Sequence, residues 1–215
     1  MTSPRRPYDS VKRAIDFTIA LVALVLLLPL IVALAFAVFI VDGWPVFFVH
    51  HRVGRGGDEF AILKFRTLGR DMPRYSHKVP DDDPRASRLG RFLRRSGLDE
   101  LPQLVNVVLG HMNLVGPRPE QPFIVSRYEA WQHRRHDVRP GMTGPWQASG
   151  RHHPLEESTG LEIDYIARRS FRVDMAILWG TLKYVLHPSW VGRNGAAPAV
   201  SPVREAVEDA EGASA

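Results

Sequence analysis

Two adjacent carboxylates, Asp99 and Glu100, lie in the run Arg94-Arg95-Ser96-Gly97-Leu98-Asp99-Glu100-Leu101-Pro102. Pro102 suits the first turn of a helix, where the amide it lacks would have no partner. The pair is therefore expected at a helix N-terminus, beside free amides and the positive end of the dipole. Neighbouring carboxylates point in different directions, so one can attack an electrophile while the other holds a metal. Charge complementation of the helix end is the plainer role. Cationic groups stand elsewhere in the chain. Gly116-Pro117-Arg118-Pro119-Glu120 holds Arg118 extended between two prolines at low entropic cost. A guanidinium fixed in this way clamps a phosphate or carboxylate, or serves a local ion pair. Lys64-Phe65-Arg66 flanks an aromatic with two cations. That suits a diphosphate or a stacked base, or the protection of a strand edge by charge.

Other chemistries are excluded or weak. The chain has no cysteine, which rules out thiolate zinc sites, iron–sulfur clusters and a Cys nucleophile. The pairs His50-His51 and His152-His153 lack metal-ligand spacing, because neighbours on a strand face opposite ways. Asp81-Asp82-Asp83 is an isolated acidic run, more often solvated than metal-bound. There is no phosphate-binding glycine loop and no Gly-x-Ser-x-Gly elbow. The net charge of +5 favours anionic partners: nucleic acid, anionic lipid or phosphorylated substrates.

The elements that must position these groups read as mixed α and β. Val46–Val49 and Phe60–Phe65 are short strands, and Arg52–Gly57 is the turn between them. Residues 69–87 are polar and proline-rich, as in a mobile loop. From Ser87 a basic amphipathic helix is expected, with Leu89, Phe92 and Leu93 on one face and Arg88, Arg91, Arg94 and Arg95 around them. A second helix is expected over Leu101–Leu109, a third over 123–135 and two more over 160–170 and 173–186. Asn113–Pro122 is non-helical, Arg139–Gly150 is a Gly/Pro-rich loop, and a disordered tail follows Trp190.

Phe17–Val41 is a run of 25 residues without a formal charge, closed by Asp16 and Asp42. It is long enough to cross a bilayer core of about 30 Å. It fits a spanning helix, a re-entrant hairpin or, with Ala35-Phe36-Ala37 as a cleavage site, a long signal peptide. Pro29 predicts a bend near the middle. Basic residues on both flanks, Arg5, Arg6, Lys12 and Arg13 before and Arg52, Arg55, Lys64 and Arg66 after, give the two ends no difference in sidedness. On these features span and hairpin are equally open.

Six stretches together resemble the bacterial sugar transferases, the small monotopic polyprenyl-phosphate phosphoglycosyl transferases. They are K-R-A-I-D-F at 12–17, K-F-R-T at 64–67, L-D-E-L-P-Q-L-V-N-V at 98–107, V-G-P-R-P-E at 115–120, R-P-G-M-T-G at 139–144 and W-Q-A-S-G-R at 146–151. The resemblance implies a mainly helical α+β fold. Residues 14–43 would be a re-entrant membrane helix-break-helix bent near Pro29. Residues 44–190 would be a compact catalytic domain on the cytoplasmic face of the bacterial inner membrane, with a small β-hairpin and interfacial helices. Residues 1–13 would be a basic N-terminal segment and 191–215 a disordered tail. The implied reaction moves a sugar 1-phosphate from a UDP-sugar to polyprenyl phosphate. It releases UMP, proceeds through an aspartyl phosphosugar and uses Mg²⁺. By motif position Asp99 would be the nucleophile and Glu100 its acidic partner, both near the metal. Lys64, Arg66, Arg94 and Arg118 would contact phosphates, and Arg139, Gln147 and Arg151 would belong to a donor-binding loop. W-Q-A-S-G-R is similar to members that transfer hexose 1-phosphates.

Four positions depart from the family pattern, one of them Pro145 before Trp146. Leu28 stands before Pro29 where Ser is frequent, and His111 and Asn113 stand where Gly-Asp-Met-Ser is usual. The expected function is initiation of an exopolysaccharide, capsule or O-antigen-type glycan. Membrane lipid, the UDP-sugar and the polyprenyl phosphate are its partners, and nucleic acid is not. Later glycosyltransferases and a second copy of the chain are further candidates. The rival is a non-catalytic membrane-anchored adaptor with a basic surface, which gives Asp99-Glu100 no role.

Overall fold

The computed structural model describes residues 7–69, 83–148 and 155–186. The apolar run becomes one long helix, α1 (Pro7–Asp42), helical through Pro29. Proline costs that helix one backbone bond, and no other part of the chain interrupts it. Two faces of α1 differ sharply. Ala20, Ile31 and Val38 are buried, whereas Val25, Leu26, Phe36 and Ile40 are largely exposed.

Beyond α1 the chain forms an antiparallel hairpin, β1 (Phe47–Val53) and β2 (Glu59–Phe65), closed by a tight turn at Arg55–Gly57. This hairpin was expected, but β1 is longer than its apolar core and carries His50, His51 and Arg52. Next come α2 (Arg88–Ser96) and α3 (Gln103–Leu109), joined by a 3-10 turn at Leu98–Glu100. Ser87 caps α2 by accepting from the Gly90 amide at 2.9 Å. Two three-residue strands, β3 (Asn113–Val115) and β4 (Gly141–Thr143), pair in parallel. Short helices α4 (Pro122–Val125) and α5 (Pro145–Ala148) punctuate the loops. The chain closes with α6 (Leu155–Arg168) and α7 (Phe171–Leu186). The protein is thus mainly helical with two small sheets, as expected.

The expected helix over 123–135 is corrected. Only Pro122–Val125 is α-helical, and Gln132–Asp137 forms a 3-10 turn. Polar and aromatic residues at 126–136 carry no 3.6-residue apolar stripe to hold a longer helix against the core. The expected tail and most of the 69–87 loop lie outside the described residues.

Three apolar clusters hold these parts together. Ala20 of α1 packs with Phe60, Ile62, Leu104, Val107 and Met112. Ile31 and Val38 pack with Val46, Phe65 and Leu93. Val115, Ala148, Tyr165, Ile166 and Ile177 form the third. Both halves of α1 therefore pack into the domain core. Loss of this helix at Ala35-Phe36-Ala37 would strip the first two clusters, which argues against a cleaved signal peptide.

Polar contacts reinforce both ends of α1. Lys12 Nζ lies 2.6 Å from Asp174 on α7 and 3.0 Å from Asp16. Tyr8 and Tyr165 hydroxyls donate to Asp174 at 2.5 and 2.8 Å. Arg13 donates to the carbonyls of Val107 and Val108 at the end of α3. At the far end Arg66 donates to the carbonyls of Asp42, Gly43 and Trp44, satisfying groups that a helix C-terminus leaves open.

Candidate active site

The dyad sits in a turn that the flanking residues dictate. Gly97 closes α2 in a left-handed conformation (φ 73°), which costs a residue without Cβ little. Its amide bonds back to Arg94 O at 3.3 Å, and the Glu100 amide to Gly97 O at 3.1 Å. Asp99 is thereby turned inward and buried. Glu100 meets Lys64 of β2, with Nζ 2.5 Å from Oε1. Asn106 fixes the distance between the two elements. Its side-chain amide donates to Ala61 O at 2.7 Å and its oxygen accepts from Leu63 N at 3.1 Å, so α3 pairs with β2 as a strand would.

The dyad was expected at the N-terminus of the following helix and lies one turn before it. The amides of Leu104 and Val105 are bonded to the carbonyls of Leu101 and Pro102. The first turn of α3 therefore does not need Asp99 as a cap, which weakens the plainer role of charge complementation.

The Gly116–Glu120 loop is held along its backbone. The Gly116 amide donates to Thr143 O at 3.0 Å, and Pro117 O accepts from Gly141 N at 2.9 Å. Arg118 N donates to Glu162 Oε1 at 2.8 Å, and Arg118 O accepts from Arg135 at 2.7 Å. Pro119 O accepts from Arg52 at 3.3 Å, and Glu120 O accepts from Val53 N at 2.9 Å. The Arg118 guanidinium lies over the Trp146 ring, 5.1 Å from its centroid.

Electrostatics tie this loop to the dyad. Arg52 is largely buried beside Glu120, with Nη1 3.8 Å from Oε2. Burial first, then the like charge of Arg118, lowers its pKa to about 10, while Glu120 and Glu100 pull it back up. One guanidinium thus feels Arg118, Glu120 and Glu100 together. His50, two residues back on the same strand face, is held neutral. Burial and then Arg52, Lys64 and His51 lower it to about 4. Lys64, Arg52 and Arg118 therefore form a cationic group around Glu100 and Glu120, and the buried Asp99 is Glu100's neighbour in the chain. A polyanion can be gripped there without solvent.

The structure places the other expected site residues as follows. The Arg66 guanidinium is committed to the end of α1, because β2 stops at Phe65 and the chain turns away. Arg139 donates to Gly110 O at 2.8 Å and closes the C-terminus of α3. Gln147 is buried and reaches Met142 O at 3.4 Å. Arg94 lies in the last turn of α2 and within electrostatic reach of Asp83. Asp83 itself accepts from Arg85 at 2.6–2.8 Å, so this member of the acidic run is bound to a side chain. Arg151, His152, His153, Asp81 and Asp82 lie outside the described residues.

Arg52, His50, Arg135 and Glu162 were not singled out as members of the site. For Arg52 and His50 the period-2 alternation along β1 is the signal that would have found them, since residues 48, 50 and 52 share a face with Lys64 across the hairpin. Nothing local marks Arg135 and Glu162.

Among the described residues no three His, Asp or Glu side chains converge as a metal cage. The adjacent carboxylates of Asp99 and Glu100 nevertheless match Mg²⁺, which takes one or two carboxylates and completes its shell with substrate phosphates and water.

A family model described as bacterial sugar transferase matches residues 7–188. The galactosyl transferase CpsE of Streptococcus agalactiae is 36% identical over 194 residues, covering 81% of this chain and 42% of CpsE. The UDP-glucose:undecaprenyl-phosphate glucose-1-phosphate transferase of Xanthomonas campestris is 38% identical, covering 85% of this chain and 40% of that protein. The exopolysaccharide production protein ExoY of Sinorhizobium fredii is 34% identical over 203 residues, covering 86% and 89%. The chain spans less than half the length of the first two relatives and most of the third. With the model matching nearly from end to end of the described residues, the chain belongs to the bacterial sugar transferase family.

Proposed function

We propose that this chain transfers a hexose 1-phosphate from a UDP-sugar to polyprenyl phosphate at the cytoplasmic face of the bacterial inner membrane. The observation that carries this reading is the buried Asp99 next to the Glu100–Lys64 pair, with Arg52 and Arg118 gathered around Glu100 and Glu120. Relatives named as undecaprenyl-phosphate sugar transferases support the reaction class.

Arg118, Arg52 and Lys64 bind the diphosphate and hold its sugar-bearing phosphorus near Asp99. An Asp99 carboxylate oxygen forms a bond to that phosphorus, and the bridging P–O bond breaks. UMP leaves with the bridging oxygen and its electron pair. A phosphate oxygen of the polyprenyl phosphate then attacks the acyl phosphate. The Asp99–phosphorus bond breaks, the carboxylate is regenerated, and a polyprenyl diphosphate sugar forms. No proton is gained or lost overall. The cations offset charge on the equatorial oxygens, and the buried setting strengthens each such contact. Mg²⁺, held by Asp99 and Glu100 with the substrate phosphates, would add charge neutralisation there.

The acceptor phosphate lies at a lipid surface, and α1 brings the site to it. In this reading α1 is re-entrant, entering and leaving on one side. One domain holds both ends of the helix, through Lys12–Asp174 and through Arg66 at Asp42. This reading requires α1 to bend at Pro29, where the proline removes one backbone bond.

The test is UMP release by the full chain in nanodiscs, with undecaprenyl phosphate, Mg²⁺ and a panel of UDP-sugars. Release from one donor, dependent on Mg²⁺ and absent in Asp99→Asn, is expected. A folded protein silent with every donor refutes the reaction and favours the adaptor, and an active Asp99→Asn refutes Asp99 as the nucleophile.

A further inference from the structure

One buried ion pair holds Arg118 at both of its backbone polar atoms. The amide donates to Glu162 Oε1 and the carbonyl accepts from Arg135 Nη2. Arg135 and Glu162 are paired to each other, and their side chains are 1% and 0% exposed. The Tyr128 hydroxyl accepts from the other arm of Arg135, and the Tyr128 ring lies 5.4 Å from that guanidinium. Arg135 comes from the 3-10 turn at Gln132–Asp137 and Glu162 from α6, so two remote parts of the chain converge on a single residue.

Stability alone is a weak reason for such a pair. Apolar residues of similar volume often fold as well or better, because two charges must otherwise leave water. Apolar residues cannot, however, bond an amide and a carbonyl. Pro117 and Pro119 have no N–H, so Arg118 carries the one amide between Gly116 and Glu120. With φ fixed on either side and both polar atoms of Arg118 bonded, the direction of its side chain over Trp146 is set from behind.

We propose that Arg135 and Glu162 are positioning residues that aim the Arg118 guanidinium at the diphosphate of the nucleotide sugar; this rests on the phosphate-binding role proposed above for Arg118. Neither side chain touches substrate. A misplacement of about 1 Å in a clamp of this kind costs up to ~10²-fold in rate.

The double replacement Arg135→Met/Glu162→Leu removes both charges and leaves no buried ion without a partner. Full-chain protein in nanodiscs is compared as parent, double replacement, Arg118→Ala and the three changes combined. The readouts are kcat/KM for the UDP-sugar, melting temperature, and hydrogen exchange of the segment 112–121. The double replacement is expected to melt near the parent, to exchange the Arg118 amide at least about tenfold faster, and to lose about tenfold or more in kcat/KM. In the Arg118→Ala background it should cost less than about twofold, because its effect runs through that side chain. An equal loss in both backgrounds assigns the pair to general architecture and overturns the proposal, as does unchanged exchange at Arg118. If the double replacement does not fold, Glu162→Asp keeps the charge, withdraws the carboxylate from the Arg118 amide and is judged by the same two criteria. If the parent releases no UMP with any donor, the proposed reaction fails. Faster exchange then still supports the positioning of Arg118, and unchanged exchange overturns it.

Discussion

Gly116→Ala should damage the protein far more than its single methyl group implies. A Cβ at Gly116 would sit 2.6 Å from Arg139 O, 2.8 Å from Gly141 N and 3.0 Å from the Pro140 carbonyl carbon. The first of these is about 0.8 Å short of ordinary contact. All three are backbone atoms, so no side chain can swing aside. β3 and β4 must separate, which breaks or stretches Gly116 N to Thr143 O and Gly141 N to Pro117 O. Two such bonds at about 1 kcal/mol each, with overpacking of about 1–3 kcal/mol, predict a loss of roughly 3–5 kcal/mol. The loop carrying Arg118 moves with β3, so activity should fall by an order of magnitude or more even where the protein stays folded. Gly69→Ala is the control, since among the described residues a Cβ there meets nothing within 4 Å. Thermal melts and UMP release in nanodiscs measure both quantities. A Gly116→Ala protein that melts with the parent and turns over at the parent rate would falsify the account of why this loop is built on glycine.

Acid should destabilise the fold through His50 and His136. Burial is the chief cause that lowers both to about 4 from an ordinary 6.5, aided by Arg52 and Lys64 at one site and by Arg135 and His133 at the other. Between these values the unfolded chain binds more protons than the native one, so stability present above pH 6.5 is lost as pH falls toward 4. Glu162 acts in the opposite sense. Burial pushes it up to about 7 against the pull of Arg135, so its contribution is full below the unfolded carboxylate value near 4.5 and is lost as pH rises toward 7. Replacing both histidines by Gln should therefore flatten or invert the slope of melting temperature from pH 6.5 to 4.5; an unchanged slope refutes the assignment. Lys12→Met should cost about 3–5 kcal/mol, because it leaves Asp16 and Asp174 buried without their cation. Melting temperatures within a degree or two of the parent would sink that reading.

What the sequence made legible was local. The apolar run as a helix, the hairpin and Ser87 as a helix start each follow from a few neighbouring residues, and the structure places them as expected. Asp99, Glu100 and Lys64 come together because their motifs fall on β2 and the turn after α2. One side chain is placed away from Lys64 and one element was misplaced, each for a physical reason. Arg66 shares strand parity with Lys64, yet the strand ends between them, and boundaries are what pattern reads least well. The helix over 123–135 rested on the absence of breakers rather than on a buried stripe. Arg135 and Glu162 were illegible for a different reason. Each is an ordinary charged residue in a polar neighbourhood, and only tertiary closure makes them a buried pair.

Two of the buried charge clusters are connected. One, Lys12 with Asp16 and Asp174, joins the base of α1 to α7. Another, Arg135 with Glu162, joins α6 to the Arg118 loop. Tyr165 on α6 connects them, since its hydroxyl reaches Asp174 at 2.8 Å and the carbonyl of Val115, which ends β3 just before that loop, at 3.3 Å. An apolar core alone would let α1 slide or rotate against the domain at little cost, because dispersion contacts are non-directional. Directional bonds to desolvated ions allow one register. In the proposed reaction a lipid phosphate held at the membrane must meet an acyl phosphate on Asp99 within bonding distance, so that reaction needs the depth of α1 and the aim of Arg118 set by the same frame. The chain Lys12–Asp174–Tyr165–Val115 provides that frame, and Lys12→Met should accordingly impair the acceptor half-reaction more than UMP release, with hydrolysis of the intermediate replacing transfer to lipid.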